Sequence, residues 1–290
     1  MMKALALKSG RHSRIRMCMR SGLRVKSRRF IECGGNTRKG SVMEQVKQIE
    51  SLFGSDFNLL AGLPISIVLE QKVPGELNEW ESKITKLIEI SRQMGVERTG
   101  VTIHTGNPEA GRLLVEKGFE HFSSKVDVHK DLKNHEASAK KTSWRSLEST
   151  DLSEEEFKDY WEQAMSFSAN QASTLTMDQQ LESVRTELGE GWPSVCRVFF
   201  EGETAIGVAI PHIEPGMPGE GRLFYFGILP SARGRGLGSF LHKEALSMLK
   251  EIGAEVYVGS THVANVAMQR VFERNGCEVR AYTESYYLYF

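Results

Sequence analysis

Apolar positions along the chain change period several times, and the changes lay out its elements. From Met43 a helical spacing runs through Val46, Ile49, Leu52 and Phe53. An apolar run at 65–69 predicts a strand, and residues 78–94, with Trp80, Ile84, Leu87 and Ile88 on one face, predict a helix. Further on, Ser153 followed by Glu156 has capping-box spacing and starts a helix through Phe157, Tyr160, Trp161, Ala164 and Met165. Thr176 and Gln179 repeat the device ahead of Leu181, Val184 and Leu188. The period then shortens. Runs at 195–201 and 204–213, joined at Gly202-Glu203, read as a hairpin, and a Pro/Gly-rich loop at 214–221 leads into a third strand at 222–229. Pro230 ends that strand. A helix from near Gly236, with Phe240, Leu241, Ala245, Met248 and Leu249 on one broad face, a strand at 255–260, a helix at 265–275 and two closing strands at 278–282 and 286–290 complete the prediction.

The junction Ile228-Leu229-Pro230-Ser231-Ala232-Arg233-Gly234-Arg235-Gly236-Leu237-Gly238 carries the chemistry. A strand enters a glycine-rich turn that opens a helix. Glycine lets backbone approach a ligand closely, and first-turn N–H groups have no partner inside the helix. With the positive end of the helix dipole they form an anion site suited to a pyrophosphate, to which Arg233 and Arg235 add charge. A Walker loop needs Gly-Lys-Ser/Thr, which is absent. A dinucleotide fingerprint beginning at Gly234 needs glycine at 239, where Ser239 stands.

What remains, Arg-x-x-Gly-x-Gly after a Val/Ile-x-Pro strand end, resembles the coenzyme A pyrophosphate loop of the GNAT N-acetyltransferases. Asn265-Val-Ala-Met268-Gln-Arg-Val-Phe272-Glu-Arg-Asn275-Gly276-Cys277 is similar to the segment N-x-x-A-x-x-L-Y-x-K-x-G-F of that superfamily. The element order agrees from about Trp144 to Phe290. The resemblance implies an N-acetyltransferase with acetyl-CoA as co-substrate. Phe226, Ile228 and Leu229 would meet the pantetheine arm in a slot beside the strand at 255–260. Amides of Arg233, Gly234, Arg235, Gly236, Leu237, Gly238 and Ser239 would hold the pyrophosphate, and Asn265 would contact the cofactor. The N–H near Leu229 would stabilise the oxyanion while the amine attacks directly.

Two departures stand out. The tyrosine that can protonate the leaving thiolate in the family aligns with Phe272, and the strand position of its base glutamate falls near Arg222-Leu223. Acid and base are therefore unassigned, with His262 and Tyr286 as candidates. Each candidate has a structural alternative. Asn265 suits a helix N-cap, His262 a structural histidine, and Tyr282, Tyr286, Tyr287 and Tyr289 amphipathic strand positions. Phe272 also keeps open a non-catalytic acyl-CoA sensor or interaction module.

Residues 95–118 align without gaps on 253–276, at an offset of 158, with six of 24 positions identical. Chance gives roughly one or two, so this reads as an internal repeat. The shared residues include His104/His262 and Asn107/Asn265, whose persistence in both copies favours structural roles. The first copy has Lys72-Val-Pro-Gly75 in place of the glycine loop and should not bind coenzyme A.

Charge and cysteines narrow the remaining choices. The net charge of zero divides into twelve basic residues against Glu32 in 1–42, leaving 25 basic and 36 acidic residues elsewhere. An acidic body is unlike a nucleic-acid binder. The head, rich in Arg and Ser, has three readings: a transit peptide, a basic arm, or upstream sequence translated from an early start. The third is preferred. Cys18, Cys33, Cys196 and Cys277 form no C-x-x-C pair, which argues against a zinc site and a disulfide framework and for a reducing, cytoplasmic setting. No apolar run approaches the roughly 18 residues of a membrane span.

The expected fold class is α/β: two GNAT-like mixed domains with a splayed central sheet, the first truncated. The expected divisions are a disordered basic extension at 1–42, a degenerate GNAT-like domain at 43–130, a linker at 131–143 and a catalytic domain at 144–290. The expected partner is an amine-bearing small molecule or peptide, with neither membrane nor nucleic acid nor metal involved; a homodimer is compatible with this reading.

Overall fold

The computed structural model describes residues 36–290 except Glu76, 137–141, Gln171, Ala172 and Thr174. Residues 1–35, most of the expected extension, lie outside the described residues. In the first half, α1 (Asn36–Phe53), β1 (Phe57–Gly62), β2 (Ser66–Gln71), α2 (Trp80–Met94), β3 (Arg98–His104), α3 (Pro108–Glu116) and β4 (Glu120–Asp131) follow one another. The second half contains β5 (Ser143–Ser146), α4 (Glu154–Met165), α5 (Met177–Leu188), α6 (Trp192–Val195), β6 (Arg197–Glu201) and β7 (Thr204–Ile213). Then come β8 (Glu220–Ile228), α7 (Leu237–Glu251), β9 (Val256–His262), α8 (Val266–Arg274) and β10 (Glu278–Tyr289).

Both capping boxes form. Ser153 Oγ accepts from Glu156 N and Thr176 Oγ1 from Gln179 N, while each N3 side chain reaches back to the cap amide. Several expectations are corrected. The first helix begins at Asn36, before Met43, so the end of the presumed extension is helical. Strand β1 appears where none was expected. The two closing strands are one continuous twelve-residue strand. In the stretch 131–143, Leu132 is fully buried and its N–H donates to Glu255 O at 2.8 Å, so its start is packed against the second half.

Among the described residues ten strands form a single sheet in the order β1-β2-β3-β10-β4-β9-β8-β7-β6-β5. The last strand of the chain is inserted between β3 and β4, and β4 lies between β10 and β9. Each half thus lends its closing strand to the other. The exchange obeys the repeat offset of 158. Glu278 faces His129 while Glu120 faces Tyr287, and Thr283 faces His104 while Lys125 faces His262. Even the irregularities correspond: the ladder skips Arg280 on β10 and Phe122 on β4. Lys125 opposite Thr283 marks the pseudo-two-fold axis, because these two residues are each other's equivalents.

Packing follows the alternation of the strands. Val198 and Phe200 turn towards α4 and α5, and Phe199 between them turns towards α7. With both faces covered, β6 is apolar at three consecutive positions, Val198, Phe199 and Phe200, rather than alternating. A third cluster joins Val126, Val128 and Leu132 of the first half to Leu246, Leu249, Tyr257 and Phe272 of the second. In the first half, α1, α2 and α3 cover one face of β2 and β3, and Tyr286 and Leu288 of β10 complete that core.

Candidate active site

The site begins where two parallel strands part. β8 pairs with β9 only at Glu220–Val256 and Gly221–Tyr257. On its other edge β8 stays bonded to β7 as far as Ile228. A wedge therefore opens between β8 and β9 beyond Tyr257. In the first half β2 and β3 stay paired over five positions, from Ser66–Arg98 to Glu70–Thr102, so the corresponding wedge is closed.

Leu229 cannot serve this wedge. Its N–H donates to Ile206 O at 3.0 Å and its carbonyl accepts from Ala232 N at 2.9 Å. N–H groups in an antiparallel ladder alternate sides, so with Leu229 turned to β7, Phe226 and Ile228 present theirs to the wedge. Leu229, the expected oxyanion donor, thus has its N–H committed to β7, and the last β8 N–H turned to the wedge is that of Ile228. The Ile228 carbonyl is taken by Arg233 Nε at 3.0 Å.

After a 3-10 turn at Pro230–Ala232, Gly234 and Gly236 both adopt left-handed backbone, with φ of 73° and 76°. Gly236 is the N-cap of α7 and supplies no side-chain cap. Among the described residues, none of the N–H groups from Gly234 to Gly238 donates in a turn or loop hydrogen bond. Space outside Gly234 and Gly236 is open, since a Cβ built on either meets nothing within 4 Å. Bare amides at the positive end of a fifteen-residue helix fit an anionic phosphate group. Gly238 has another task. A Cβ there would come 3.1 Å from Val271 Cγ2, so glycine lets α8 close on the first turn of α7. Leu237, the first residue of α7, packs against the cluster of Phe199 and Leu241, and Ser239 O accepts from Asn275 Nδ2 at 2.9 Å.

The two arginines differ from expectation. Arg233 clamps the site from behind, with Nη2 donating to Ala164 O at 2.9 Å as Nε bonds Ile228 O. Its charge is spent on carbonyls that tie α4 to the end of β8. Arg235 pairs with Glu201 at 2.7 Å, an exposed contact that holds it only weakly.

Asn265 caps α8, accepting from Met268 N at 3.1 Å, as Asn107 caps α3 from Ala110 N at 3.1 Å. Its Nδ2 donates to Thr261 Oγ1 and to Asn170 Oδ1, which also accepts from Thr261 Oγ1 and His262 N. His262 Nδ1 accepts from Ala264 N, a local turn contact. Tyr286 is displaced from the site altogether. It packs in the first-half core against Gly111 and donates to Glu284 Oε2 at 2.7 Å. As a candidate acid it is withdrawn, because β10 carries it two strands away from β9.

A cluster that sequence reasoning missed lies under the wedge. His242 is fully buried beside Phe226, Tyr257 and Phe272, with ring centroids 5.3 to 5.6 Å from its own. Burial pushes its pKa down to about 3, so the ring is neutral. A polar residue beside the apolar stripe of α7 was the available signal. Burial pushes the Cys196 thiol up to about 12 and Cys277 up to about 11, which keeps both from acting as thiolate nucleophiles. Among the described residues no cluster of His, Cys, Asp and Glu is placed to hold a metal, and no helix is long and apolar enough to cross a membrane.

Comparison with known proteins agrees with this geometry. Residues 148–277 match the model of the Acetyltransferase (GNAT) family. Among solved structures, a GCN5-related N-acetyltransferase from Sphaerobacter thermophilus superposes with a TM-score of 0.59 at 14% identity, over 80% of this chain and 76% of that one. A GNAT-family acetyltransferase from Colwellia psychrerythraea gives 0.51 at 12%, over 81% of each. A tandem GNAT protein from the clavulanic acid biosynthesis pathway gives 0.50 at 14%, over 80% and 78%. At such identities these structures speak for the fold alone. Among curated proteins none matches significantly.

Proposed function

Residues 148–277 form a domain of the GNAT acetyltransferase family, and from that premise we propose that the protein moves an acetyl group from acetyl-CoA to an amine. The observation that carries this reading is the wedge between β8 and β9, opening beside two left-handed glycines at the start of α7. Amides from Gly234 to Ser239 would hold the pyrophosphate, and Arg235 would swing from its exposed pair with Glu201 to add charge. The edge of β8 at Phe226 and Ile228 would bond the pantetheine arm, with the Ile228 N–H oriented to stabilise an oxyanion. Acetyl-CoA bound there supplies a thioester open to direct attack. The raised thiol pKa values of Cys196 and Cys277 support transfer without an acyl-enzyme. Asn265 would act through its cap and its bond to Thr261, ordering the mouth of the wedge. The closed β2–β3 ladder supports a single site per chain.

Calorimetric titration tests this directly, with one acetyl-CoA per chain expected. Thiol release across a panel of amines, peptides and aminoglycosides tests transfer. Two sites per chain, or no binding, refutes the site. Binding with no thiol release under any acceptor favours the sensor reading, to which the missing hydroxyl at Phe272 points.

A further inference from the structure

Three side chains beneath the wedge fix one another's protons. Asn275 Nδ2 lies 2.9 Å from Ser239 O and 2.9 Å from His242 Nδ1. A carbonyl only accepts, so the amide nitrogen must face this way, and its two N–H groups serve the two contacts. His242 Nδ1 is then the unprotonated nitrogen, and the neutral ring carries its proton on Nε2. Nε2 lies 3.3 Å from Tyr257 Oη, so the imidazole donates and the phenol oxygen accepts. The phenolic proton is left with no acceptor among the described residues, on a side chain only 2% exposed. Leaving a buried donor unsatisfied costs roughly 1–3 kcal/mol, so this proton calls for a partner that arrives with a ligand.

The position of the hydroxyl says which ligand atom that is. Tyr257 leans along β9 until its hydroxyl lies over Gly259, where any side chain would collide with it. Tyr257 is the last β9 residue paired to β8, so Gly259 is two residues into the wedge and the hydroxyl borders its base. The ring of Phe272, the position whose hydroxyl this chain lacks, is 6.4 Å away between centroids.

Resting on the transferase reading, we propose that Tyr257 is a catalytic residue whose hydroxyl donates a hydrogen bond to the thioester sulfur and holds the thiolate as the C–S bond breaks. The amine nitrogen forms its bond to the acetyl carbon, the C–S electron pair leaves on sulfur as the thiolate, and the proton shed by the amine nitrogen goes to solvent. The phenol keeps its own proton throughout, with its oxygen held by the Nε2–H of His242 so that the O–H is aimed away from that ring. Burial holds the phenol protonated and the imidazole neutral, the states this donation requires.

Tyr257→Phe removes only the hydroxyl. Two readouts apply. The first needs no turnover: above the thiol pKa of about 8.5, the wild type should bind coenzyme A several-fold more tightly than desulfo-coenzyme A by calorimetry. Tyr257→Phe should lose that preference, and Tyr225→Phe on β8 should keep it. The second is kinetic: Tyr257→Phe should lower kcat about tenfold or more, with acetyl-CoA affinity and melting temperature held, and Phe272→Tyr in that background should restore part of the rate. An unchanged thiolate preference, or a kcat within twofold of wild type, overturns the assignment. A wild type that shows the preference yet transfers no acetyl group supports the placement of the hydroxyl and sinks the transferase reading alone.

Discussion

Separating the two halves should unfold both. The β4 strand and the residue after it put Val126, Val128 and Leu132 into the core formed with Leu246, Leu249, Tyr257 and Phe272. Each buried apolar side chain stabilises by about 1.5–3 kcal/mol, so a fragment of residues 142–290 forfeits about 5–9 kcal/mol. That rivals the whole stability of an ordinary domain, about 5–15 kcal/mol. A fragment of residues 43–136 loses Tyr286 and Leu288 from its core, about 3–6 kcal/mol, and both ladders of β10. Each fragment would be purified alone, melted by circular dichroism, then mixed and run on a sizing column. Neither should melt cooperatively alone, and the mixture should give a folded one-to-one complex. An isolated 142–290 fragment that melts within a few degrees of the full chain would refute the reasoning, because the lent strand would then contribute little.

Gly236→Val places a β-branched residue at φ 76°, costing roughly 1–2 kcal/mol of backbone strain and filling the open approach, so acetyl-CoA affinity should fall at least about tenfold by calorimetry. His242 stays neutral in the fold while an unfolded histidine protonates near pH 6.5. Stability from this group therefore falls as pH drops from about 6.5 towards 3, by up to about 1.4 kcal/mol per unit, and His242→Gln should flatten that part of a pH series of denaturant melts. A chain beginning at Met43 keeps Ile49, Leu52 and Phe53, the α1 residues that reach the core among those described, and its melting temperature should stay within roughly 4 °C of the full chain.

The second half was legible because its signals are local. Capping boxes, the hairpin at Gly202 and the glycine turn each rest on neighbours in sequence. The course of β10 was not. Thr283-Glu284-Ser285 looks like a polar break between two short strands, yet Glu284 pairs with Ile103 on one side and Ser124 on the other. Both partners lie more than 150 residues away, and what holds such a segment extended is its neighbours, not its own composition. The same remoteness misplaced Tyr286, whose alternation was read correctly while the core it enters belonged to the other half. Leu229 was misassigned for a subtler reason: which residues of β8 turn their amides to the wedge depends on its register with β7, and the break in that register between Ala209 and Pro211 leaves no mark in the pattern.

The repeat separates what the fold needs from what the ligand needs. At an offset of 158 both copies keep the asparagine cap, Asn107 and Asn265, and the exchanged closing strand. Each also has a left-handed residue before its long helix, one position out of that register, Glu79 at φ 55° and Gly236 at φ 76°. These features persist in a copy whose wedge is zipped shut, so binding a cofactor is not what maintains them. The first copy lacks the strand divergence and the glycine pair found at 234 and 236. At the places equivalent to Tyr257, His242 and Asn275 it carries Thr99, Ile84 and Lys117, so it has no phenol, imidazole or carboxamide there to form such a hydrogen-bonded chain. Ile84 is fully buried in the first-half core, which shows that the fold itself is content with an apolar side chain where the second copy buries His242. The buried imidazole is thus confined to the copy with the open wedge. The features confined to the second copy are the amide nest, the open wedge and the Tyr257–His242–Asn275 chain, and it is on these that activity should depend.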